Sequence, residues 1–589
     1  MATIYPLVMG GRAMIATEHY LSAAAGARMF ARGGNAIDAA VAATFVEGIA
    51  NPHLHTIGGE APILVRPAGS ERVLAINGNM AAPARATIEH FRSLGITLIP
   101  GQGLLAAGVP AALDALLTAL EHFGTFKLAQ VLEPALELAE DGFPMHHGLV
   151  GDPGKAATLT GTTELASLHA NARNFLKRWP TTANVYLPEG RVPAPGDRIK
   201  NPALARFFRR LMDAEAGVGN GRRATGLAAA RDRFFRGDIA LDIVSWSNAN
   251  GGLLAAEDLA RFKTKIEEPL AITYHGFKIF KCQPWSQGPV FLQQLRLLEG
   301  FDLAALGHNS VDYIHCLIEA AKLAFADREA WYGDPEFTQV PIEGLLSREY
   351  ADLRRSLIDP RHALIEPARP GDPIAMRALM DPPAEARSWG PGTVHVDAAD
   401  HRGNVIAITP SGGWIPSSPV IDTLGFPLGT RLQSFHLDEH HPNGLAPGKR
   451  PRTTLTPSLT IDPAGQCIAF GTPGGDNQDQ WTLQFFLNLV HFGMNLQEAI
   501  EAPRFSSGHM PITFYPHTAN PGLLRIEERI DAKVRDELAA RGHVIDVQPA
   551  YREGFVLAAA YDPASGALTG GADPRGQMSM LMPAQVIGW

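Results

Sequence analysis

Thr393 stands in Trp389-Gly390-Pro391-Gly392-Thr393-Val394-His395-Val396-Asp397, where a Gly/Pro-rich run gives way to β-branched residues. Upstream, the chain reads as irregular through Ala368-Arg369-Pro370-Gly371-Asp372-Pro373, Asp381-Pro382-Pro383 and Gly390-Pro391-Gly392. Downstream, Thr393, Val394 and Val396 predict a strand, Asp400 to Asn404 a turn, and Val405-Ile406-Ala407-Ile408-Thr409 a second strand. A hydroxyl at the junction of a flexible segment and a rigid hairpin suits attack on its own preceding peptide bond. Gly392 has no Cβ, so that bond can take up strained geometry at low cost. Cleavage there would leave Thr393 as a new N-terminus that carries its nucleophile and its base on one residue. An α-amine has a pKa near ~7.7–8.0, against ~10.4 for lysine, so a useful fraction is neutral at physiological pH. Taken alone, a threonine that opens a strand after a loop is an ordinary feature of folded chains.

Other residues could complete such a site. In Pro473-Gly474-Gly475 two glycines can aim backbone N–H groups into one concavity, beside a helix N-terminus near Asp476. A turn of this kind can also cradle phosphate, but the Walker lysine and the GxGxxG spacing are missing. Ser411 in Thr409-Pro410-Ser411-Gly412-Gly413 is either a support for the nucleophile or a simple turn residue. The three cysteines, Cys282, Cys316 and Cys467, form no CxxC and fit buried thiols in a reducing compartment. His146-His147 and His436, His440 and His441 lack the spacing that a helix or hairpin would impose on metal ligands. They read as solvated loop residues, and neither a metal nor another cofactor is expected.

The elements around these residues begin with a helix over 20–32 that stops at Gly33-Gly34. Asn35 then caps a second helix, with Asp38 in capping-box placement. Strands are expected near Pro62–Pro67 and Arg72–Ile76, and helices near 110–123, 126–141, 202–214, 289–299, 310–331 and 477–492. Residues 150–240 are the least decisive stretch. With 589 residues, 46% of them hydrophobic, the chain can bury a large core. A net charge of −9 with interspersed signs gives no footprint for nucleic acid. Apolar stretches are broken by Asp38, Glu47, Pro110 or Asp114, well short of a membrane span. The start, Met1-Ala2-Thr3-Ile4-Tyr5-Pro6, does not read as a signal peptide, so a cytoplasmic location is expected.

Many short blocks resemble the γ-glutamyltranspeptidase family, in family order. They include Arg32-Gly33-Gly34-Asn35-Ala36-Ile37-Asp38-Ala39-Ala40-Val41, Asn51-Pro52-His53, Ile57-Gly58-Gly59 and Ala82-Pro83-Ala84-Arg85. Ala139-Glu140-Asp141-Gly142-Phe143-Pro144, Ala326-Asp327-Arg328, Lys449-Arg450-Pro451, Gly471-Thr472-Pro473-Gly474-Gly475 and Glu501-Ala502-Pro503-Arg504-Phe505 follow. The run from Thr409 to Trp414 with Ser417-Ser418-Pro419 looks like the branch that includes oxamate amidohydrolase, and Trp414 could narrow the pocket. The resemblance implies the four-layer αββα sandwich of N-terminal nucleophile hydrolases, an α+β fold. It also implies autoprocessing into a large subunit, residues 1–392, and a small one, residues 393–589, which form one composite αβ heterodimer able to pair further. The partner would be a small-molecule amide, with no nucleic acid and no membrane.

By the same resemblance, Thr393 is the nucleophile, Ser411 replaces a supporting threonine, and Gly474 and Gly475 bind the oxyanion. Thr453 and Thr454 replace a serine pair that binds the donor carboxylate, and Asp438 falls near an aspartate for its amino group. Two departures follow. Asn79 aligns with the family's carboxylate-binding arginine and Gly413 with its binding asparagine, so ordinary γ-glutamyl recognition is in doubt. Losing a charge-assisted contact of that kind costs ~2–5 kcal/mol. Arg452 and Arg431 are the nearby cations that could take over. Three readings result: hydrolysis of an amide in a small carboxylate-bearing substrate, γ-glutamyl hydrolysis or transfer on glutathione-like donors, and an uncleaved binding protein. Retention of Thr393, Ser411 and the glycine pair disfavours the last.

Overall fold

The computed structural model describes residues 2–152, 166–219, 222–380, 392–576 and 583–589. Two seven-stranded antiparallel sheets form its centre. One runs Gln585–Gly588, Ala13–Thr17, Val396–Asp400, Val405–Ile408, Ile63–Arg66, Leu74–Asn77 and Lys265–Glu267. The other runs Val8–Gly10, Leu568–Ala572, Leu557–Tyr561, Cys467–Gly471, Ser458–Ile461, Phe277–Lys281 and Leu270–Tyr274.

Side-chain alternation explains the layering. Met14, Ala16, Ala399, Val405 and Ala407 of the first sheet meet Phe280, Leu459, Ala469, Leu557 and Ala559 of the second in one buried cluster. Their strand neighbours point the other way. Ile15, Val396, Ala398, Ile406 and Ile408 pack under the helices Tyr20–Ala31, Ala36–Ala50, Ala112–Phe123 and Leu128–Asp141. Ile279, Ile468, Phe470, Ala558 and Ala560 pack under Gly288–Leu298, Val311–Trp331 and Gln478–Phe492. Four layers result, helix–sheet–sheet–helix.

Asn35 closes the expected capping box: Oδ1 accepts from Ile37 and Asp38, and Asp38 Oδ2 accepts from Asn35 N at 2.9 Å. The described part of 150–240 is mainly helical, with Leu168–Arg178, Pro180–Tyr186, Pro202–Gly217, Arg223–Phe235 and Asp238–Ala249, and holds one short strand, Arg198–Ile199. Regular pairing of the hairpin after Gly392 starts at Val396 rather than Thr393, which makes only a single bridge to Ser411. Val396–Asp400 is central, flanked by Ala13–Thr17 and Val405–Ile408, so the residues just before it inherit a rigid base. Among the described residues no helix is long and apolar enough to cross a membrane.

Candidate active site

The hairpin sets the first contacts. Val394 N donates to Pro410 O at 3.0 Å, and Thr393 lies opposite Ser411. Both are fully buried, and Thr393 Oγ1 lies 3.2 Å from Ser411 Oγ. Ser411 is fixed from the other side by Glu60, through Ser411 N to Glu60 O at 2.9 Å and Glu60 N to Ser411 O at 2.8 Å. The Ser411 hydroxyl donates to the Gly392 carbonyl at 2.9 Å. One serine therefore touches the hydroxyl and the peptide carbonyl on either side of the expected cut, so it is more than a turn residue.

Gly392 packs closely on its surroundings: a Cβ there would lie 2.1 Å from Leu54 Cδ2, so a larger residue would make the Leu54 side chain shift. Leu54 follows His53 in the Asn51-Pro52-His53 block, which brings that block to Gly392.

Arg431 is fully buried and pairs with the buried Glu60 carboxylate. Its Nη2 donates to Ser411 Oγ at 3.0 Å, and its guanidinium lies 4.8 Å from the Trp414 ring and 5.0 Å from that of Phe514. Burial pushes the Glu60 carboxyl up from the usual carboxylate range, and Arg431 offsets part of the rise. Arg431, expected as a candidate cation for the substrate, thus has its charge matched by Glu60, as Arg452 has by Glu329. Arg431 Nη1 has no partner among the described residues.

Gly474 and Gly475 have φ of 117° and 57°, the left-handed region that glycine tolerates. They lead through a short 3-10 turn, Gly475–Asn477, into the helix Gln478–Phe492. A Cβ on Gly474 would meet Trp481 Cζ3 at 2.2 Å, and one on Gly475 would lie 3.2 Å from Phe514 Cε2. Phe514 thus links the glycine pair to Arg431 and Trp414. Asp476 is held by Arg328 and by Thr513 N and Oγ1, at 2.9 and 2.7 Å.

The residues expected to bind substrate divide into two groups. Asn79 is buried, with Nδ2 donating to Pro451 O at 2.6 Å and its carbonyl accepting from Arg450. It anchors the loop that carries Arg452, Thr453 and Thr454, while its Oδ1 has no partner among the described residues. Thr454 Oγ1 and Arg452 Nε are also buried without partners among the described residues. Arg452 Nη2 lies 3.0 Å from Glu329; although burial alone would raise that carboxyl, Arg452 and Arg328 hold it well below the usual range. Thr453 is engaged locally, its N donating to Trp285 O at 2.9 Å. Gly413 has φ of 63°, and a Cβ there would meet Thr56 Oγ1 at 2.2 Å, so an asparagine does not fit. Asp438 is exposed and caps a turn through Oδ1 to His440 N at 3.0 Å, which places it outside this buried group.

The histidines also need correction. His440 is exposed, but His146 is buried and caps a helix. His436 and His441 stack at 3.7 Å. With Glu329 they have the proximity of metal ligands, but two guanidiniums already match that carboxylate. Sequence reasoning missed His395, whose ring is held by Thr409 Oγ1 and Asp397 Oδ1, each at 2.9 Å. Its alternation with Asp397 on one strand face was the available signal. Glu60 and Glu329 were missed as well.

A four-layer αββα sandwich with a buried threonine hydroxyl at the head of a central strand defines the class of N-terminal nucleophile hydrolases. The Gamma-glutamyltranspeptidase family model matches residues 22–582, and the chain belongs to that family. It is 32% identical to the acylase ACY 1 proenzyme of a Pseudomonas species, over 96% of this chain and 92% of that one. It is 31% identical to the glutathione hydrolase-like YwrD proenzyme of Bacillus subtilis, over 97% and 98%. The oxamate amidohydrolase proenzyme of Klebsiella pneumoniae is 27% identical over 95% and 97%. A solved LmbA structure, 41% identical, superposes over the whole of both chains with a TM-score of 0.91. The chain is accordingly an autoprocessed N-terminal nucleophile amidohydrolase.

Proposed function

We propose that this chain cuts itself between Gly392 and Thr393 and then hydrolyses an amide in a small carboxylate-bearing substrate, with the Thr393 hydroxyl as nucleophile. The observation that carries the reading is the buried contact of Thr393 Oγ1 with a Ser411 hydroxyl that also holds the Gly392 carbonyl. Before cleavage the nucleophile is fully buried, so the cut supplies its base and removes the peptide carbonyl beside it. The freed amine then takes the hydroxyl proton, the oxygen attacks the amide carbonyl, and the Gly474-Gly475 turn supplies N–H groups to the oxyanion. Water releases the acyl group.

For the substrate carboxylate, Thr454 Oγ1 and Arg452 Nε are buried polar groups without partners among the described residues. Unpaired buried donors are costly unless a ligand satisfies them. Thr454→Val keeps the shape and removes the hydroxyl. It is expected to raise KM for an acidic amide about 10- to 150-fold, the worth of one hydrogen bond to a charged group. KM for a neutral analogue and the melting temperature should hardly move. Equal KM values for the acid in both proteins would remove Thr454 from the site.

The glutathione hydrolase-like relative favours a second reading, γ-glutamyl hydrolysis or transfer. Replacement of the family's arginine by Asn79 and of its asparagine by Gly413 weighs against it. Mass spectrometry of the cleaved enzyme with glutathione and with a panel of small acid amides, with and without an amine acceptor, separates the two. Turnover of glutathione but of no small acid amide would reverse the order.

A further inference from the structure

We propose that Trp414 is a catalytic residue of self-cleavage: its indole N–H and the Ser411 hydroxyl form an oxyanion clamp on the Gly392 carbonyl, separate from the Gly474-Gly475 turn. The proposal rests on the reading that Thr393 attacks that carbonyl. Trp414 Nε1 donates to Gly392 O at 2.5 Å, and Ser411 Oγ donates to the same oxygen at 2.9 Å. Two donors on one peptide oxygen, in a fully buried position, is the arrangement that stabilises developing negative charge.

Proton bookkeeping at Ser411 supports the assignment. A hydroxyl has one proton and two lone pairs. The proton is used on Gly392 O, so Ser411 accepts from Arg431 Nη2 at 3.0 Å and from the Thr393 hydroxyl at 3.2 Å. Thr393 thus points its proton at Ser411 and keeps its lone pairs for attack. Arg431 acts on both donors. It polarises Ser411 directly, and as a cation 4.8 Å from the indole it makes the ring N–H a stronger donor.

Trp414 is placed rather than merely packed. Its N–H is shared with Leu54 O at 2.9 Å, so the donor is held in position before charge develops. As the Gly392 oxygen becomes anionic, the shared bond strengthens towards it.

The chemistry balances without any further reagent but water. The Thr393 oxygen forms a bond to the Gly392 carbonyl carbon, and the carbon–nitrogen bond breaks. The hydroxyl proton ends on the Thr393 nitrogen, leaving an ester. Water then adds to that carbon and the carbon–oxygen bond breaks, giving the Gly392 carboxylate and the free Thr393 hydroxyl, with the released proton taken up by the Thr393 amine.

The test is the rate at which full-length chain, pulse-labelled in cell-free synthesis, converts to two fragments on a denaturing gel. Trp414→Phe is expected to slow conversion on the order of 10²-fold, the usual effect of losing one oxyanion donor. The deciding comparison replaces Trp414 with benzothienylalanine, which keeps the bicyclic shape and lacks the N–H. It should slow conversion to a similar extent. Conversion within about three-fold of the parent would overturn the clamp, whatever Trp414→Phe does, because shape alone would then suffice. Thr393→Ala run in parallel must stay intact; its cleavage at the same bond would instead sink the Thr393 reading, and the clamp with it.

Discussion

Thr393→Ala is expected to persist as one intact chain and to hydrolyse no amide. The parent should give fragments 1–392 and 393–589, the smaller beginning Thr-Val-His-Val. The two losses come together because one oxygen serves both steps. In the uncut chain it is the hydroxyl 3.2 Å from Ser411 Oγ, beside the carbonyl that Ser411 holds. In the cut chain it is the nucleophile whose own amine is its base. Removing a hydrolase nucleophile costs about 10⁶-fold in kcat, so residual turnover should lie below ordinary detection. Thr393→Ser keeps the oxygen but loses the β-branch that restricts χ1, so both steps should survive at reduced rates. Electrospray masses of the purified proteins and a time course with a small acid amide check these outcomes. An alanine variant that hydrolyses at the parental rate would require another nucleophile.

How much was legible in the sequence depended on the range of the interaction. Asn35 and Asp38 cap a helix across three residues, and Gly474-Gly475 lead through one 3-10 turn into a helix; such signals are local and legible. The hairpin was visible in the β-branched run after Gly392, although Thr393 itself leads in by a bridge instead of a full rung. Long-range partners were not legible. Arg431 meets Glu60 across 371 positions, and nothing near either residue marks the other. Arg431 therefore read as a spare cation when its charge was already matched. Trp414 read only as a residue that could narrow the pocket, because the use of an indole N–H depends on a carbonyl 22 positions away. Asp438 fell in a plausible place by alignment, but its loop is turned outward and its carboxylate caps a turn. The histidines failed in the opposite sense, because burial of His146 and the stacking of His436 on His441 are tertiary facts.

Arg431→Met is expected to destabilise the chain by about 3–5 kcal/mol, because it leaves the Glu60 carboxylate buried without its partner. Both side chains are fully buried, so solvent cannot take over the role of the guanidinium. The loss should depend on pH, and its sign follows from Glu60. Burial already raises this carboxyl, with Arg431 offsetting part of the rise; without the cation the folded-state value climbs further. Unfolded glutamate titrates near ~4.3. A raised folded value means the native state binds the extra proton, so stability falls as pH rises from about 4.3 to that value, by about 1.4 kcal/mol per unit. The deficit against the parent should therefore be smaller at pH 5 than at pH 8. Melting curves at both pH values, taken in the Thr393→Ala background so that cleavage does not interfere, measure it. Glu60→Gln combined with Arg431→Met should recover much of the stability, since a neutral pair replaces a lone charge. It should not restore maturation in chains that keep Thr393, because the Nη2 donor to Ser411 is gone. Melting of Arg431→Met with the parent at both pH values would show that the pair does not hold Ser411 in place.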